Sequence, residues 1–549
     1  MKHKILAVIP ARGGSKGIPR KNLRFIHGKP LISYAIKNSI NCKLITDCVV
    51  TTDDDEIESV AKSYGIYTVR RGKSLSDDFV TLDPVIFDAV EQIEKLKGIS
   101  YDIVITLQPT SPLLTTNTLE AALSSFLNDI RLDTLISVVN KPHLSWTKRN
   151  GRIVPNYEKR LNRQQLPPSY VETGAFFITK REFIQKNTRL GTNISVFEVP
   201  ENEATDIDSV EDWIVSESIL DKKNIIFRVD GMKERGLGHI YNCITMAFDF
   251  IEHNVLFVTR EDCIEGLRKI QSTNLPYKTI KNEAELEQII KDFKPDIWVN
   301  DCLNTTEDYM KWLKARVNRI ISIEDLGPGT QYADAVINAL YEKQRTLCPN
   351  TYEGYKYVCL RNEFLIENPV TFREHVRSVV IMFGGTDPSN LNVKLYKIAK
   401  ILTSEYTNLR FDFVTGLGYD CMSHGLKDDY TARIYIHNNV SKVTDFMKQA
   451  DIMVTSQGRT VFEIASLAIP AVVLAQNERE LTHTFATMKN GFINLGLGKK
   501  VDELSLYNTI KWLIDTPNIR RNMHELMLQN QLRTSKGRIK QIILGTQND

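Results

Sequence analysis

Ile5-Leu6-Ala7-Val8-Ile9 runs directly into Pro10-Ala11-Arg12-Gly13-Gly14-Ser15-Lys16-Gly17-Ile18-Pro19-Arg20-Lys21-Asn22. The apolar run reads as a buried strand. In the loop after it, Gly13, Gly14 and Gly17 allow backbone N–H groups to approach an anion closely. Arg12, Lys16, Arg20 and Lys21 add positive charge to the same few residues. The spacing is not that of a Walker A loop, in which four residues separate the first glycine from Gly-Lys-Ser/Thr. A buried strand opening into a basic, glycine-rich loop predicts an α/β sheet that takes phosphates at the C-terminal edge of its strands.

The pattern continues outward from this stretch. Asp47-Cys48-Val49-Val50-Thr51, Ile103-Val104-Ile105-Thr106-Leu107 and Leu135-Ile136-Ser137-Val138-Val139 read as further strands. Helical periodicity lies between them, at Leu31 to Ser39, Glu56 to Tyr64 and Asp83 to Leu96. Asn150-Gly151 between extended runs predicts a hairpin, and an arm over about residues 140–170. The polar stretch Leu220-Asp221-Lys222-Lys223 closes a first domain at 1–220. Strand–helix alternation restarts at Asn224-Ile225-Ile226-Phe227-Arg228-Val229 and again at Ser378-Val379-Val380-Ile381-Met382. Two more α/β lobes are therefore expected, at 224–370 and 376–549, with a linker near Ile366 to Arg377. Neither a low-complexity tract nor a short internal repeat interrupts the chain.

The 549 residues are too many for one hydrophobic core, which agrees with that division. Apolar residues at 42% and charged residues at 25% exclude a collagen-like or wholly disordered chain. Lys and Arg number 70 against 67 Asp and Glu, so nothing in the net charge of +3 calls for nucleic acid or an anionic membrane. No segment approaches the ~20 apolar residues that span a bilayer, and the apolar start is too short for a signal-peptide core. Eight cysteines without a Cys-x-x-Cys pair or a zinc spacing fit reduced thiols, and a cytoplasmic location is expected.

Further positions carry chemistry. Asp206-Ile207-Asp208 reads as a strand whose two carboxylates share a face, a pair suited to Mg²⁺ (or Mn²⁺) beside phosphates. Gln108 stands at the C-terminal edge of the Ile103 strand, in Gln108-Pro109-Thr110-Ser111-Pro112. In the second restart, Gly236-Leu237-Gly238-His239 places a histidine at a tight strand-to-helix turn. Phe383-Gly384-Gly385-Thr386-Asp387 opens another helix and is placed to hold a phosphate. Ser456-Gln457-Gly458-Arg459-Thr460-Val461-Phe462-Glu463 is a third polar turn, with Gly458 and Thr460 near a nucleotide and Glu463 toward ribose hydroxyls.

The run from Ile9 to Asn22 resembles the signature of the CMP-N-acylneuraminate synthetases, cytidylyltransferases that activate nonulosonic acids. The likeness continues through residues 1–220, in Arg70-Arg71 with Ser76-Asp77-Asp78, Leu107-Gln108-Pro109-Thr110-Ser111-Pro112-Leu113, Arg163-Gln164, Tyr170, Gly174-Ala175-Phe176-Phe177 and Asp206-Ile207-Asp208. It implies a Rossmann-like nucleotidyltransferase in which an anomeric hydroxyl attacks the α-phosphorus of CTP and expels pyrophosphate. Arg12, Lys16 and Lys21 would hold the triphosphate, with Ala11, Gly14 and Ser15 beside it and Asn22 and Arg71 near the cytidine. Asp206 and Asp208 would hold the metal. Gln108, Arg163, Tyr170, Phe176 and Phe177 would face the acid sugar, and the arm would make a homodimer. Thr173 departs from the Asn that family members often carry before Gly-Ala-Phe.

The second half resembles the UDP-sugar hydrolases of the pseudaminic acid pathway and their spore-coat relatives, which have the two-lobed GT-B fold. The matches are Arg228-x-Asp230, Gly238-His239-Ile240, Glu324-Asp325 with Asp334 and Asn338, Leu360-Arg361-Asn362-Glu363-Phe364 and Gly384-Gly385-Thr386-Asp387. The resemblance implies that His239 acts as base toward water and releases UDP from a UDP-amino sugar. Asn242 and Glu478 stand where relatives often carry Arg and Gln. A GT-B glycosyltransferase and a non-catalytic sugar-nucleotide-binding module are the alternatives for this half.

Overall fold

The computed structural model describes residues 3–546 except 16, 78, 232–236, 343–346, 417 and 441. The chain divides into two compact units, 1–222 and 223–549.

The first unit is built on a seven-stranded sheet. Across it lie Ile194–Glu198, Thr134–Asn140, Tyr170–Lys180, Ile103–Leu107, Ile5–Pro10, Asp47–Thr52 and Tyr67–Arg70. Tyr170–Lys180 is antiparallel to both neighbours, and the other pairings are parallel. Every residue of Ile5–Pro10 is buried. Its alternate side chains feed two cores: Ile5, Ala7 and Ile9 pack with Ile32, Ile36 and Leu123, whereas Leu6 and Val8 pack with Ile86, Val90 and Ile93. Helices cover both faces, which is why the strand reads as an unbroken apolar run. Asp54 caps the Asp55–Ser63 helix by accepting from the Glu56 and Ile57 amides, and Gly98, at φ 63°, ends Leu82–Lys97.

The arm contains a two-stranded hairpin, Trp146–Arg149 with Arg152–Pro155, whose turn residues Asn150 and Gly151 both have positive φ, at 49° and 77°. The segment carrying Asp206 and Asp208 corrects one expectation, because it belongs to no strand. It is an extended connection between the turn Glu201–Glu203 and the helix Val210–Leu220. Instead of a ladder partner, the Ile207 amide donates to the Thr110 carbonyl at 2.9 Å. The alternation survives all the same: Ile207 is buried, Asp206 half-buried and Asp208 exposed.

The second unit holds two sheets, one of seven strands and one of six. The first is ordered Tyr277–Ile280, Asn254–Arg260, Asn224–Val229, Ile297–Asp301, Arg319–Ile323, Ala335–Asn338 and Thr351–Glu353, parallel throughout. The second is ordered Ile434–Asn438, Arg410–Thr415, Ser378–Met382, Ile452–Thr455, Ala471–Ala475 and Phe492–Leu497, again parallel. The chain does not divide cleanly between these lobes at 376. Its last helix, Ser535–Leu544, returns to the first sheet, where Ile539, Ile542 and Ile543 share a core with Ile225, Phe227 and Ile321. Arg319 fastens the helix end by donating to the carbonyls of Ile542 and Ile543 at 2.6 and 2.9 Å. Among the described residues no helix is long and apolar enough to cross a membrane.

Candidate functional sites

In each sheet the strand that comes first in sequence lies beside a later one, and the connections run outward in opposite directions from that pair. Ligands of open α/β sheets collect at the C-terminal ends of such a pair, where the crossing connections leave a crevice. The pair is Ile5–Pro10 with Ile103–Leu107 in the first unit, Asn224–Val229 with Ile297–Asp301 in the second sheet and Ser378–Met382 with Ile452–Thr455 in the third.

At the first crevice the basic loop is fastened over the acidic segment. The largely buried Lys21 side chain donates from Nζ to the Ile207 carbonyl at 2.5 Å and to Asp208 Oδ1 at 3.1 Å. Gly17 lies so close to the same segment that a Cβ on it would stand 2.4 Å from the Asp208 carbonyl oxygen. Asn22 is 8% exposed and donates from Nδ2 to the Arg12 carbonyl at 3.0 Å. Arg71 is 6% exposed and donates from Nη2 to the Thr51 carbonyl at 3.1 Å. Among the described residues, Asn22 Oδ1 and Arg71 Nε are buried without a hydrogen-bond partner. An orphaned acceptor and an orphaned donor at the C-terminal edge of one sheet are what a nucleobase edge would satisfy. Burial pushes the Arg71 guanidinium below the usual arginine value; Asp53 opposes that shift and Arg12 adds to it.

Gly174 brings Gln108 and Asp206 together. It has φ 71°, and a Cβ there would stand 3.1 Å from Asp206 Oδ2 and 3.2 Å from Gln108 Nε2. Burial raises the Asp206 carboxyl above the usual range, with the Thr110 hydroxyl opposing and the Asp208 charge adding. Asp206 and Asp208 give two hard oxygen donors on one side of the connection. That set fits Mg²⁺, which takes one or two carboxylates and completes its shell with water and substrate phosphates. Among the described residues no group of three or more His, Cys, Asp and Glu side chains forms a closed metal cage.

The remaining expectations for this site fare differently. Lys16 and Asp78 lie outside the described residues. Ala11 is fully buried at the end of the first strand, while Gly14 is exposed and Ser15 half-buried in the loop. Phe176, at 0% exposure, is a core residue packed against Phe197 and is no wall of a pocket. Phe177 is also buried, with the Arg189 guanidinium 4.2 Å from its ring centroid. Both belong to the middle of a paired strand, which turns their rings into the layers on either face. Arg163 is exposed and pairs with Glu201 at 3.4 Å, and Tyr170 is half-exposed opposite Asn140. Asp53 and Asp54 were not anticipated. Asp53 accepts from the Gly13 amide at 2.9 Å, and Asp54 accepts from Arg20. Their signal is the acidic run Asp53-Asp54-Asp55, immediately after the strand paired with Ile5–Pro10.

A model of the cytidylyltransferase family matches residues 6–220. Over 216 residues the chain is 35% identical to a pseudaminic acid cytidylyltransferase of Campylobacter jejuni, covering 38% of this chain and 93% of that protein. The chain belongs to the cytidylyltransferase family. A CMP-N,N'-diacetyllegionaminic acid synthase of the same species is 32% identical over 227 residues, covering 40% of this chain and 97% of that one. An uncharacterized protein of Methanocaldococcus jannaschii is 30% identical over 272 residues, which is 45% of this chain and 55% of the other. Among solved structures, a CTP complex of CMP:2-keto-3-deoxy-manno-octonic acid synthetase aligns with 40% of the chain and 98% of its own length, at 19% identity and TM-score 0.30. MurG of Acinetobacter baumannii aligns with 58% of the chain and 99% of its own length, at 11% identity and TM-score 0.42. Neither of these two bears on activity at that level of similarity.

Beyond the cytidylyltransferase domain, the second unit has its own constellation. His239 is the second residue of the Gly238–Ala247 helix; Gly236, the first glycine of its turn, lies outside the described residues. His239 Nδ1 donates to Asp301 Oδ1 at 2.6 Å, and the Asp301 side chain is fully buried at the end of its strand. Cys243 Sγ donates to the other oxygen at 3.3 Å, so both lone-pair sides of the carboxylate are engaged. That bond fixes the imidazole ring with Nε2 as its lone-pair nitrogen. Asp301 went unanticipated, although an apolar strand ending in Asp at a C-terminal edge is a readable signal.

Gly384 and Gly385 are exposed and Thr386 half-buried beyond the Ser378 strand. Gly458 and Thr460 are half-buried at the start of the Thr460–Leu467 helix. Glu463, on the first turn of that helix, accepts from Arg361 Nε at 2.8 Å, so its carboxylate is occupied by a guanidinium. Glu478 is exposed, and Asn477 accepts from the Glu480 amide at 3.0 Å.

Proposed function

We propose that the chain carries two activities of nonulosonic acid biosynthesis. The first unit transfers CMP from CTP to a free nonulosonic acid and releases pyrophosphate. The second hydrolyses a UDP-amino sugar to UDP and free sugar. The observation that carries the first is the fastening of the glycine-rich loop onto the Ile207–Asp208 backbone and carboxylate by Lys21. In this reading Arg12, Lys16 and Lys21 neutralise the triphosphate, Asn22 Oδ1 and Arg71 Nε meet the cytosine edge, and Gln108 meets the acid. Asp206 and Asp208 would hold Mg²⁺, which when bound neutralises phosphate charge in the transition state. Phosphoryl and nucleotidyl transfers need little beyond positioning and charge neutralisation, which is what these residues supply. The relatives' substrates support a sialic-acid-like acid, and a pseudaminic-type acid first.

For the second unit the supporting feature is His239, oriented by Asp301 at a sheet switch point, with Nε2 left to take a proton from water. Glycosyl transfer to an acceptor uses the same base, so product analysis separates the two: free sugar for hydrolysis, a new glycoside for transfer. The cation–carboxylate pairs across the cleft, Arg361 with Glu463 and Arg459 with Glu324, favour a second reading as a nucleotide-sugar sensor. We place the enzyme in the cytoplasm, where CTP is available, as a homodimer through the arm. The test is pyrophosphate release by the full-length protein with CTP and Mg²⁺, offering N-acetylneuraminic, legionaminic and pseudaminic acids separately. Release with one acid names the substrate, and none with any of them overturns the reading. UDP release from UDP-amino sugars, lost in His239→Ala, tests the second half.

A further inference from the structure

The helix that carries His239, Gly238-His239-Ile240-Tyr241-Asn242-Cys243-Ile244-Thr245-Met246-Ala247, contains neither Lys nor Arg. A cleft that releases a diphosphate needs a cation near that point, and the structure brings one from the opposite lobe. Arg459, at the start of the Thr460–Leu467 helix, donates from Nη1 to Asn242 Oδ1 at 3.1 Å and from Nη2 to Glu324 Oε1 at 3.2 Å. Asn242 stands three residues beyond His239 on the same helix, so the two side chains share a face. The guanidinium therefore lies beside the His239–Asp301 pair. Cys243, Glu324 and His483 all feel its charge.

Two features suit Arg459 to a ligand. It retains donors: a guanidinium has five N–H groups in a rigid fork, and the bonds to Asn242 and Glu324 use two. The carboxylate that aims it is built under constraint. Glu324 is 1% exposed and has φ 54°, a left-handed conformation unusual for this residue type. Its Oε2 is buried with no hydrogen-bond partner among the described residues. The other cations of the cleft are committed elsewhere. Arg361 is shared between Glu463 and Glu363. Arg479 donates to the Tyr341 hydroxyl at 3.0 Å and to the Glu324 carbonyl at 3.1 Å, which props the strained backbone.

We propose that Arg459 is the anion-binding residue of this cleft, taking the diphosphate of a sugar nucleotide from the lobe opposite His239, with Asn242 and Glu324 aiming it. The inference rests on the reading that the second unit binds a UDP-sugar. Calorimetry of full-length protein with UDP and, separately, with uridine tests it. In Arg459→Gln, UDP affinity should fall by about tenfold or more while uridine affinity stays unchanged, because charge-assisted bonds to phosphate are the strong ones. Moving the cation back onto the helix, in Asn242→Arg with Arg459→Gln, should return UDP affinity to within about threefold of wild type. Unchanged UDP binding in Arg459→Gln overturns the proposal. So does equal loss of UDP and uridine, which marks a structural role, or a double variant no tighter than the single one. A wild-type protein that binds neither UDP nor uridine overturns the UDP-sugar reading itself and this inference with it.

Discussion

The two candidate sites use the same sheet geometry but are assembled in opposite ways. At the first, loop, acidic segment and strand edge belong to one sheet, and the polar atoms left unsatisfied, Asn22 Oδ1 and Arg71 Nε, sit at its rim. At the second, a cation of each lobe is neutralised by a carboxylate of the other, Arg459 by Glu324 and Arg361 by Glu463. The first arrangement leaves buried polar atoms of the sheet edge open, whereas the second pairs its charges before a ligand arrives, with Arg459 keeping N–H donors beyond those pairs. An anion entering the first site meets groups already in place, and one entering the second competes with existing ion pairs.

The largest effect expected from this difference is at Asp208. In Asp208→Ala, CMP transfer should fall by roughly a hundredfold or more, since the variant removes a proposed metal ligand and also Lys21's partner. Pyrophosphate release at saturating CTP and acid measures it, and a rate within a few-fold of wild type would remove Asp208 from the metal site. Gly17→Ala comes next. The new Cβ meets a backbone oxygen at 2.4 Å, so the loop must move away from the acidic segment. We expect a rise in KM for CTP of roughly tenfold or more, with thermal stability little changed, because the loop is at the surface and not in the core.

In the second unit, Asp301→Asn should lower kcat for UDP release by roughly tenfold to a hundredfold with little change in KM. The amide keeps a hydrogen bond to Nδ1 but no longer stabilises an imidazolium. The pH–rate profile should shift along with kcat. UDP binding by the wild-type protein without release of UDP from UDP-amino sugars would favour the nucleotide-sensor reading over hydrolysis.

The same contrast explains what was legible beforehand. Ile5–Pro10 announced itself because a strand buried on both faces must be apolar throughout, and the loop after it because phosphate chemistry demands glycine and charge in one stretch. Asp206 and Asp208 keep their alternation about buried Ile207 although the strand expected for them is absent, since an extended connection has the same period. Phe176, expected at the acid sugar from the family resemblance, is a core ring instead, because a motif match does not say which face of a paired strand a ring occupies. Arg459 was passed over for a different reason. Its partners Asn242 and Glu324 lie 217 and 135 residues away, and no local pattern records a contact made by the meeting of two lobes. The last helix, which crosses back to the first sheet, escaped the proposed boundary for the same reason.

The smallest effect expected is on acid stability, and here the two sites should respond with opposite signs. Burial lowers the His483 pKa to about 4, from an ordinary 6.5. The ring is held neutral with Nδ1 donating to the Gln457 carbonyl at 2.6 Å. The unfolded chain therefore binds the proton first, and stability is lost as pH falls from 6.5 toward 4. Asp206 is shifted the other way: its raised pKa means that the folded state takes up the proton first, so acidification through its folded-state pKa adds stability. Urea unfolding of wild type and His483→Asn at pH 7 and pH 5 separates the two contributions. The wild-type midpoint should drop more on acidification than that of the variant, whose side chain does not titrate. In Asp206→Asn the drop should be larger than in wild type, because the stabilising uptake is gone. Equal drops in wild type and His483→Asn would show that His483 is hydrated enough to titrate normally, and that the second cleft is open to water in the absence of a nucleotide.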